Sequence, residues 1–231
     1  MRPRHLASRI RLAPEGTPFI LGAGVLSAIQ AILLIGWTDV PAAVPLTVGA
    51  GLVGFIAYFF RDPAPLRNAA PDVVLAPGEG RVADVADVEH PHMGGPCRRI
   101  GIFLSIFDVH VQRAPAAGVV EDRSYHKGRF LAAWAPEAST DNERSEICLR
   151  SEAGPFVVRQ IAGLVARRIV TDPEKGDRVA RGGRIGLIRF GSRVELYVPL
   201  DWTVLCSVGD RVFVGRSAVA RWEVSDDANG E

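Results

Sequence analysis

The chain has little of the chemistry that metal sites, disulfide frameworks and nucleic-acid interfaces require. Its three cysteines, Cys97, Cys148 and Cys206, are far apart and form no CxxC pair. The sequence therefore predicts neither a zinc site nor disulfide bonds and favours a reducing compartment. His90 and His92 have no further cluster of ligands beside them, so we expect no metal. Lysine and arginine together number 27 against 26 aspartates and glutamates, a balance that indicates no nucleic-acid partner.

Formal charge is absent from two long stretches near the N-terminus. Pro18–Trp37 and Val40–Phe60 contain no charged residue, and each is long enough, as a helix, to cross a hydrocarbon core of about 30 Å. Residues 1–62 are therefore predicted to be a basic N-terminus followed by a transmembrane or membrane-embedded α-helical hairpin. The helices are expected to pack closely at their small residues, which are Gly22, Ala23, Gly24, Gly49, Ala50, Gly51 and Gly54.

Arginines set the expected orientation of this hairpin. They occur before the first apolar stretch and after the second, at Arg2, Arg4, Arg9, Arg11, Arg61 and Arg67, and the connecting turn has none. By the positive-inside rule both ends face the cytoplasm, which predicts a cytoplasmic domain held at the cell membrane. Two alternatives stay open. A cleaved signal peptide fits poorly with two apolar runs, and a water-soluble pair of buried helices is the other.

Short β-type segments dominate residues 63–231. They are separated by clusters of glycine, proline and aspartate at the intervals typical of sandwiches and barrels, so we predict a mainly β domain. Only Ala132–Arg144 has a weakly helical or loop-like pattern. The segment KGDRVARGGRIG, residues 175–186, resembles a strand pair of lipoyl-carrier and membrane-fusion adaptor domains, but its glycines and aspartate are also those of tight turns. No lysine follows at a hairpin tip, and we interpret this segment as architectural.

A Gly-Ser pair, Gly191 and Ser192, interrupts the strand pattern of IRFGSRVELY. The pair is not part of a GxSxG nucleophile elbow, because Val194 occupies the place of the second glycine, and a hydrolase triad is not indicated. A serine hydroxyl is also a weak nucleophile unless a base activates it. Taken alone, the pair indicates a turn or bulge.

Two further polar residues are candidates for chemistry. His110 follows Asp108 by two positions, and in a strand both side chains would share a face, so a carboxylate could lie near the imidazole and give a general acid or base. The alternative is a surface histidine in a polar turn. Glu79, in the turn PGEG, would ordinarily be a solvated turn residue.

Together these segments resemble the short, membrane-hairpin class of the phosphatidylserine decarboxylase family, which depends on a pyruvoyl group. The resemblance covers nearly the whole chain. It is carried by FFRDP (59–63), APGEGRV (76–82), FLSIFDVHVQRAPAAG (103–118), DNER (141–144), VVRQIAGLVARRI (157–169) and GLIRFGSRVELYVP (186–199), together with the apolar hairpin.

The resemblance implies a proenzyme that cuts itself between Gly191 and Ser192. Ser192 would attack the Gly191 carbonyl to form an ester, and β-elimination would leave a β chain of residues 1–191 and an α chain of residues 192–231 that stay associated. The remnant of Ser192 would become the pyruvoyl group, the covalent cofactor. A Schiff base between this group and the substrate amine would convert phosphatidylserine to phosphatidylethanolamine and CO₂.

Residue roles carry over only where the motifs match. The long-form family has a second histidine where this chain has Arg113, and an aspartate where it has Glu79. The resemblance therefore implies Ser192 and His110 as catalytic residues, with Glu79 as a candidate. Contacts to the substrate phosphate or carboxylate are expected from arginines, for which the candidates are Arg159, Arg167, Arg168 and Arg189.

Alternatives remain for substrate and for class. An archaetidylserine decarboxylase would use the same headgroup chemistry. A non-enzymatic membrane-fusion-like adaptor would require long coiled-coil heptads, which the sequence lacks, and a membrane-tethered peptidase-like domain would require a set of metal ligands. The implied partners are the phospholipid substrate, the two halves of the chain itself and a possible second copy in a homodimer.

Overall fold

The computed structural model describes residues 11–37, 40–66, 68–135, 137–164, 168–189 and 191–223. The chain divides into two compact units, Met1–Ala64 and Pro65–Glu231. The division falls two residues beyond the predicted boundary between anchor and β domain. The membrane role of the first unit and the cleavage of the second stay predictions.

The first unit is a helical hairpin. Helix α1 spans Thr17–Trp37 and α2 spans Ala43–Phe59. Strands β1, Arg11–Leu12, and β2, Arg61–Asp62, pair antiparallel and bring the two ends of the hairpin together. The predicted hairpin is thus present, and the stretch Pro14–Gly36 is long and apolar enough to cross a membrane.

Two expectations about this hairpin need correction. The second helix has 17 residues, about 26 Å at 1.5 Å per residue, so it is shorter than the apolar run Val40–Phe60. Close packing is also confined to part of the small-residue set. A Cβ on Gly49 would lie 2.7 Å from Cβ of Ser27, and Ala23 is buried. The other helical glycines of that set face open space, and these are Gly22, Gly24, Gly51 and Gly54.

The second unit is mainly β, as predicted. Its strands are β3 (Val73–Leu75), β4 (Gly80–His90), β5 (Gly95–Leu104), β6 (Val111–Arg113), β7 (Gly118–His126), β8 (Arg144–Ser151), β9 (Gly154–Ala162), β10 (Ile169–Thr171), β11 (Arg178–Val179), β12 (Arg184–Ile188), β13 (Ser192–Val198), β14 (Thr203–Val204), β15 (Arg211–Val212) and β16 (Ala218–Arg221). One short helix, α3 (Ala138–Asp141), lies in the segment predicted to be weakly helical.

An eight-stranded sheet in the order β11-β7-β8-β9-β13-β5-β4-β15 is the centre of this unit. Two three-stranded sheets, β10-β12-β6 and β14-β16-β3, complete it. One apolar core joins the sheets. Residues after 191 contribute much of it, including Val194, Leu196 and the neighbouring rings of Trp202 and Trp222. This shared burial would hold residues 192–223 in place without a covalent link to the preceding chain.

The segment IRFGSRVELY does not form one interrupted strand. Strand β12 ends at Ile188 in a three-stranded sheet, and β13 begins at Ser192 in the middle of the eight-stranded sheet, between β9 and β5. Gly191 lies between them with φ of 62°, a left-handed conformation that favours glycine. The Gly-Ser pair is therefore the point at which the chain crosses from one sheet to another.

Turn chemistry explains the segment KGDRVARGGRIG as predicted. Gly176 and Gly182 have φ of 94° and 74°, and the Glu174 N–H donates to Oδ2 of Asp177 at 2.9 Å. These are the left-handed glycine and the aspartate turn that the architectural interpretation requires.

Candidate active site

The predicted scissile bond lies at the start of the central strand. Ser192 pairs with Leu104 of β5 on one side and with Ala162 of β9 on the other. Its side chain is buried on the core face of the sheet with Val194 and Leu196. The serine is therefore held on both sides, whereas Gly191 just before it is outside the ladder.

The hydroxyl of Ser192 is buried. Its Oγ has no hydrogen-bond partner among the residues that the structure describes, which do not include Phe190. Leaving a buried hydroxyl unsatisfied costs about 1–3 kcal/mol, so a group of this kind calls for an explanation. This orphaned hydroxyl is next to the Gly191 carbonyl that it is predicted to attack.

His110 lies at the same place with a defined tautomer. Its imidazole is fully buried, Nδ1 is 2.9 Å from the carbonyl oxygen of Asp108, and the N–H of Gly191 donates to Nε2 at 3.2 Å. A nitrogen that accepts an amide proton is unprotonated, so Nδ1 carries the proton and donates it to Asp108. The lone pair of Nε2 therefore accepts from the backbone N–H of Gly191, which holds the imidazole beside the predicted scissile bond.

The prediction that the carboxylate of Asp108 lies against the imidazole of His110 is wrong, because the imidazole contacts the backbone carbonyl of Asp108 instead. Residues 105–110 are a loop and not a strand, and the imidazole binds the carbonyl of Asp108. Oδ2 of Asp108 instead accepts from the N–H and the hydroxyl of Ser105 at 2.7 and 2.8 Å. Its other oxygen accepts from Arg211. The carboxylate thus shapes the loop that presents His110.

Glu79 is joined to this loop through Arg211, which sequence reasoning missed. Glu79 is buried, and Nη2 of Arg211 lies 3.6 Å from its Oε1 while also contacting Asp108. Arg211 belongs to the predicted α chain, and both carboxylates belong to the predicted β chain. No motif surrounds Arg211 that could have revealed this role. Arg113, at the position of the second histidine, donates to the carbonyl of Gly182 at 2.7 Å.

Gly163 and Asn142, within the matched motifs, also build the site. A Cβ on Gly163 would lie 2.2 Å from the carbonyl oxygen of Gly191, so only glycine leaves room for that carbonyl. Nδ2 of buried Asn142 donates to the carbonyl of Ala162 at 2.7 Å. Asn142 thereby fixes the end of β9 beside Ser192. The motifs DNER and RQIAG marked these segments, but not these residues.

The candidate substrate-binding arginines occupy different places. Arg168 is exposed and its carbonyl accepts from the N–H of Arg189, so both lie on the segment that leads to Gly191. Arg159 lies on the other face of the sheet from Ser192, because it is paired with Glu195 and not with the core-facing residues. Arg167 is outside the described residues. Substrate contacts by Arg159, Arg168 and Arg189 stay predictions.

Arg159 instead takes part in a buried polar cluster. Its Nε is 2.8 Å from Oε1 of Glu146, and Nε2 of His90 is 3.4 Å from Oε2 of the same carboxylate. Burial raises the pKa of Glu146, but its contact with His90 and the charge of Arg159 outweigh burial and lower the pKa from 4.5 to about 2. Glu146 is thus ionised over the working range of the protein.

Acid should therefore weaken the wild type more than Glu146→Gln. A carboxyl whose pKa is lower in the folded state stabilises the fold above pH 4.5, and this contribution is lost as the pH falls towards about 2. The difference in melting temperature between wild type and Glu146→Gln, followed by tryptophan fluorescence, should shrink between neutral pH and about pH 2. Asp122→Asn, at an exposed aspartate of β7, is the control. A difference in melting temperature between wild type and Glu146→Gln that is constant with pH would contradict the lowered pKa of Glu146.

An apolar cavity opens beside Gly191. It has a volume of about 250 Å³ and is lined by Phe103, Leu104, Ser105, Ile106, Ala133, Trp134, Leu164 and Gly191. Trp134 and Leu164 are 68% and 62% exposed, and Phe107 in the adjoining loop is 59% exposed. Large apolar side chains grouped in this way on a surface mark a site for an apolar partner or ligand.

Comparisons with known proteins show the family of the chain. Residues 52–220 match the family model described as phosphatidylserine decarboxylase. A phosphatidylserine decarboxylase proenzyme of Symbiobacterium thermophilum is 45% identical over 91% of this chain and 95% of its own length. The proenzymes of Trichlorobacter lovleyi and Saccharopolyspora erythraea are 41% and 44% identical over 96% and 90% of this chain, and over 99% and 86% of their own lengths.

The matched range includes Glu79, His110, Gly191 and Ser192, which the fold brings to one end of the central sheet. It also includes Asn142 and Gly163, and the similarity extends over nearly the full length of both chains. The roles of these residues in a self-cleavage stay predictions. From its sequence and its fold together, the chain belongs to the phosphatidylserine decarboxylase family.

Proposed function

We propose that this chain is a self-processing phosphatidylserine decarboxylase that cuts itself between Gly191 and Ser192. It would then convert phosphatidylserine to phosphatidylethanolamine and CO₂. The observation that carries the proposal is the buried hydroxyl of Ser192, which has no partner in the described part of the chain and lies beside a left-handed glycine. The name proenzyme, borne by the relatives, supports self-processing.

The self-cleavage balances with the residues at the site and one water. Oγ of Ser192 loses its proton and attacks the carbonyl carbon of Gly191, and the C–N bond breaks to give an ester and the amino group of Ser192. Loss of the Cα proton of Ser192 then expels Gly191 as a carboxylate. Water replaces the nitrogen, ammonia leaves, and a pyruvoyl group remains at residue 192.

The residues at this position fit such a group. Ser192 is fully buried, which limits access of bulk water, and a Cβ at Gly191 would meet nothing within 4 Å, which leaves open space on the side of Gly191. The pyruvoyl group supplies a carbonyl that accepts electrons as CO₂ leaves the substrate. His110, whose Nε2 accepts from the N–H of Gly191, would move a proton at this position, and Arg168 and Arg189 would contact the anionic headgroup.

The apolar cavity beside Gly191 supports a lipid as the substrate. A serine headgroup that reaches residue 192 would bring its glycerol and the first part of its acyl chains towards Phe103, Trp134 and Leu164. An aromatic ring such as that of Trp134 is well suited to a membrane interface, where one edge is apolar and the other is wet.

The double variant Trp134→Ser/Leu164→Ser should lose activity on long-chain phosphatidylserine in vesicles by about tenfold, since two large apolar contacts are removed. Turnover of a water-soluble short-chain phosphatidylserine should change by less than about twofold, because its acyl chains make few of these contacts. Initial rates of CO₂ release measure both. Leu200→Ser, beyond the far end of β13, is the exposed-leucine control. Equal losses on both substrates would contradict a lipid-binding role.

We also propose that the hairpin anchors the protein in the cell membrane with its β domain in the cytoplasm. Support comes from the apolar stretch Pro14–Gly36 and from Arg11 and Arg61 at the paired ends of the hairpin. A homodimer remains a proposal of the same kind. Protease accessibility in inverted and right-side-out vesicles tests the orientation.

Two measurements on the full-length protein in detergent test the proposed activity. Intact-mass analysis should find two fragments that divide between Gly191 and Ser192, and the smaller should carry a ketone that reacts with a hydrazide. Phosphatidylserine should yield equal amounts of phosphatidylethanolamine and CO₂. A folded wild-type chain that stays whole, or a cut chain with no product, would overturn the proposal.

A further inference from the structure

The strand that follows the predicted cleavage point carries buried charges on one face. Along β13, Val194, Leu196 and Val198 point into the core, and Arg193, Glu195 and Tyr197 alternate with them on the other face of the sheet. Arg193 is only 4% exposed and Glu195 is 0% exposed. Charged residues are almost never buried to this degree unless they are paired.

Glu195 is the centre of a closed set of contacts. Its Oε1 accepts from Oγ of Ser139 and from Nε of Arg193, both at 2.8 Å. Its Oε2 accepts from the hydroxyl of Tyr197 at 2.6 Å and from Nη1 of Arg159 at 3.3 Å. Both oxygens thus have two donors, which is the condition under which a buried carboxylate is tolerated.

The guanidinium of Arg193 reaches across a neighbouring strand. It contacts Asp84 of β4 by passing over Gly101 of β5, and Nε of Arg99 also donates to Asp84 at 3.0 Å. A Cβ on Gly101 would lie 2.5 Å from Nη2 of Arg193 and 2.6 Å from Oδ2 of Asp84. Gly101 has no left-handed backbone, so this glycine is required for space and not for conformation.

Such a network need not add much net stability. Replacing a buried ion pair with apolar residues of similar volume is often neutral or stabilising, whereas one attested use of buried charge is to specify register. The contacts that β13 would make in other registers show what the charges contribute. A slip by one residue would turn the charges into the core.

A slip by two residues is different, because it keeps the alternation: Val194 and Leu196 would take the places of Leu196 and Val198, and only the small Ser192 would enter the place of Val194. The apolar face resists such a slip weakly. On the polar face, however, Arg193 would take the place of Glu195 beside Arg159 and would leave Asp84, so cations would face each other. The ionic face therefore excludes the register that the apolar face permits.

We propose that Arg193, Glu195 and their partners form a register lock that holds the first residue of the small chain at the active site after self-cleavage. This inference rests on the proposed self-cleavage. Before the cut, the peptide bond to Gly191 fixes the position of Ser192. After the cut, residue 192 is a chain end, and a slip by two residues would move it by about 7 Å at 3.4 Å per residue, away from His110. Arg193 and Glu195 are thus positioning residues.

Arg193→Met tests the lock by comparing cut and uncut protein. We expect self-cleavage to proceed as in the wild type, because the intact chain still positions Ser192. In the cut protein, hydrogen exchange at the amides of residues 193–198 should accelerate by about tenfold or more, because the strand then has a free end and only its apolar face to hold its register. In Ser192→Ala/Arg193→Met, which keeps the tether, exchange should stay close to that of Ser192→Ala.

Two further variants sharpen the test. Gly101→Ala keeps every charge but displaces the guanidinium of Arg193, so it should also accelerate hydrogen exchange in β13 of the cut protein. It takes the place of Arg193→Met if that variant does not fold. Arg98→Met is the matched control. It removes an exposed ion pair between Arg98 of β5 and Asp87 of β4, and it should leave hydrogen exchange in β13 unchanged.

Three outcomes would overturn the lock. They are equal acceleration in cut and uncut protein, no acceleration in either, and a folded Arg193→Met chain that fails to cut. A wild-type chain that is never cut would instead overturn the proposed function. Intact mass, measured first, separates the two cases.

Discussion

Ser192→Ala is expected to remain a single chain and to lose decarboxylation by at least about 10³-fold, the scale on which loss of a nucleophile acts. The variant removes Oγ of Ser192, the atom that is proposed to attack the Gly191 carbonyl and to form the ester. The fold should be kept, because Ser192 is on the core face of β13 and its Oγ has no partner among the described residues. Alanine therefore removes an unsatisfied polar atom.

Intact mass and CO₂ release measure this outcome, and melting temperature verifies the fold. We expect Ser192→Ala to melt at or slightly above the temperature of a wild-type chain that has not been cut, since a buried unpaired hydroxyl is lost. Ser145→Ala is the matched control. Its buried hydroxyl accepts from Thr171 at 2.9 Å, away from the cleavage point, so this variant should be cut normally. Two fragments from Ser192→Ala would refute the role of Ser192.

His110→Ala is expected to slow self-cleavage by about 10²- to 10⁴-fold, the range typical of a positioned general acid or base. The imidazole is fully buried, its tautomer is fixed by the carbonyl of Asp108, and Nε2 accepts from the N–H of Gly191. Alanine removes both the base and the contact that orients Gly191. The appearance of the small fragment during expression or refolding gives the rate.

Two controls show whether the effect belongs to His110 itself. His126→Ala removes an exposed histidine that contacts Ser124 at 3.2 Å, and it should be cut and should turn over as the wild type does. His110→Gln retains a polar side chain of similar reach but no base, so it should cut slowly while folding normally. Wild-type processing and turnover in His110→Ala would remove His110 from the mechanism.

Much of the fold could be predicted because it depends on local pattern. The apolar runs predicted the hairpin, and short β-type segments between clusters of glycine, proline and aspartate predicted the mainly β domain. Strands of two residues, such as β11 and β14, carry no readable alternation. The second helix is shorter than the apolar run that predicted it, because apolar character alone does not mark where a helix begins. Pro41 and Ala42 are uncharged but precede the helix.

The site could be predicted only in its motif residues. Gly191, Ser192, His110 and Glu79 were found by resemblance, and the structure brings them to one end of the central sheet. Gly163 and Arg211 were missed because each acts through a distant segment. Gly163 leaves room for a carbonyl 28 positions later, and Arg211 binds the loop of Asp108. Neither contact leaves a trace in the neighbouring sequence.

By itself, then, the sequence determined the mainly β domain, the apolar hairpin and the Gly-Ser pair with its histidine, because hydrophobic period and motif spacing are properties of short stretches. Only the tertiary structure decided that Gly191 is the crossing between two sheets and that Ser192 is buried with no partner in the described chain. It also decided that Arg159 faces away from the site and that the charges of β13 close on themselves. Burial and pairing depend on which strands become neighbours, and β13 is flanked by strands from elsewhere in the chain.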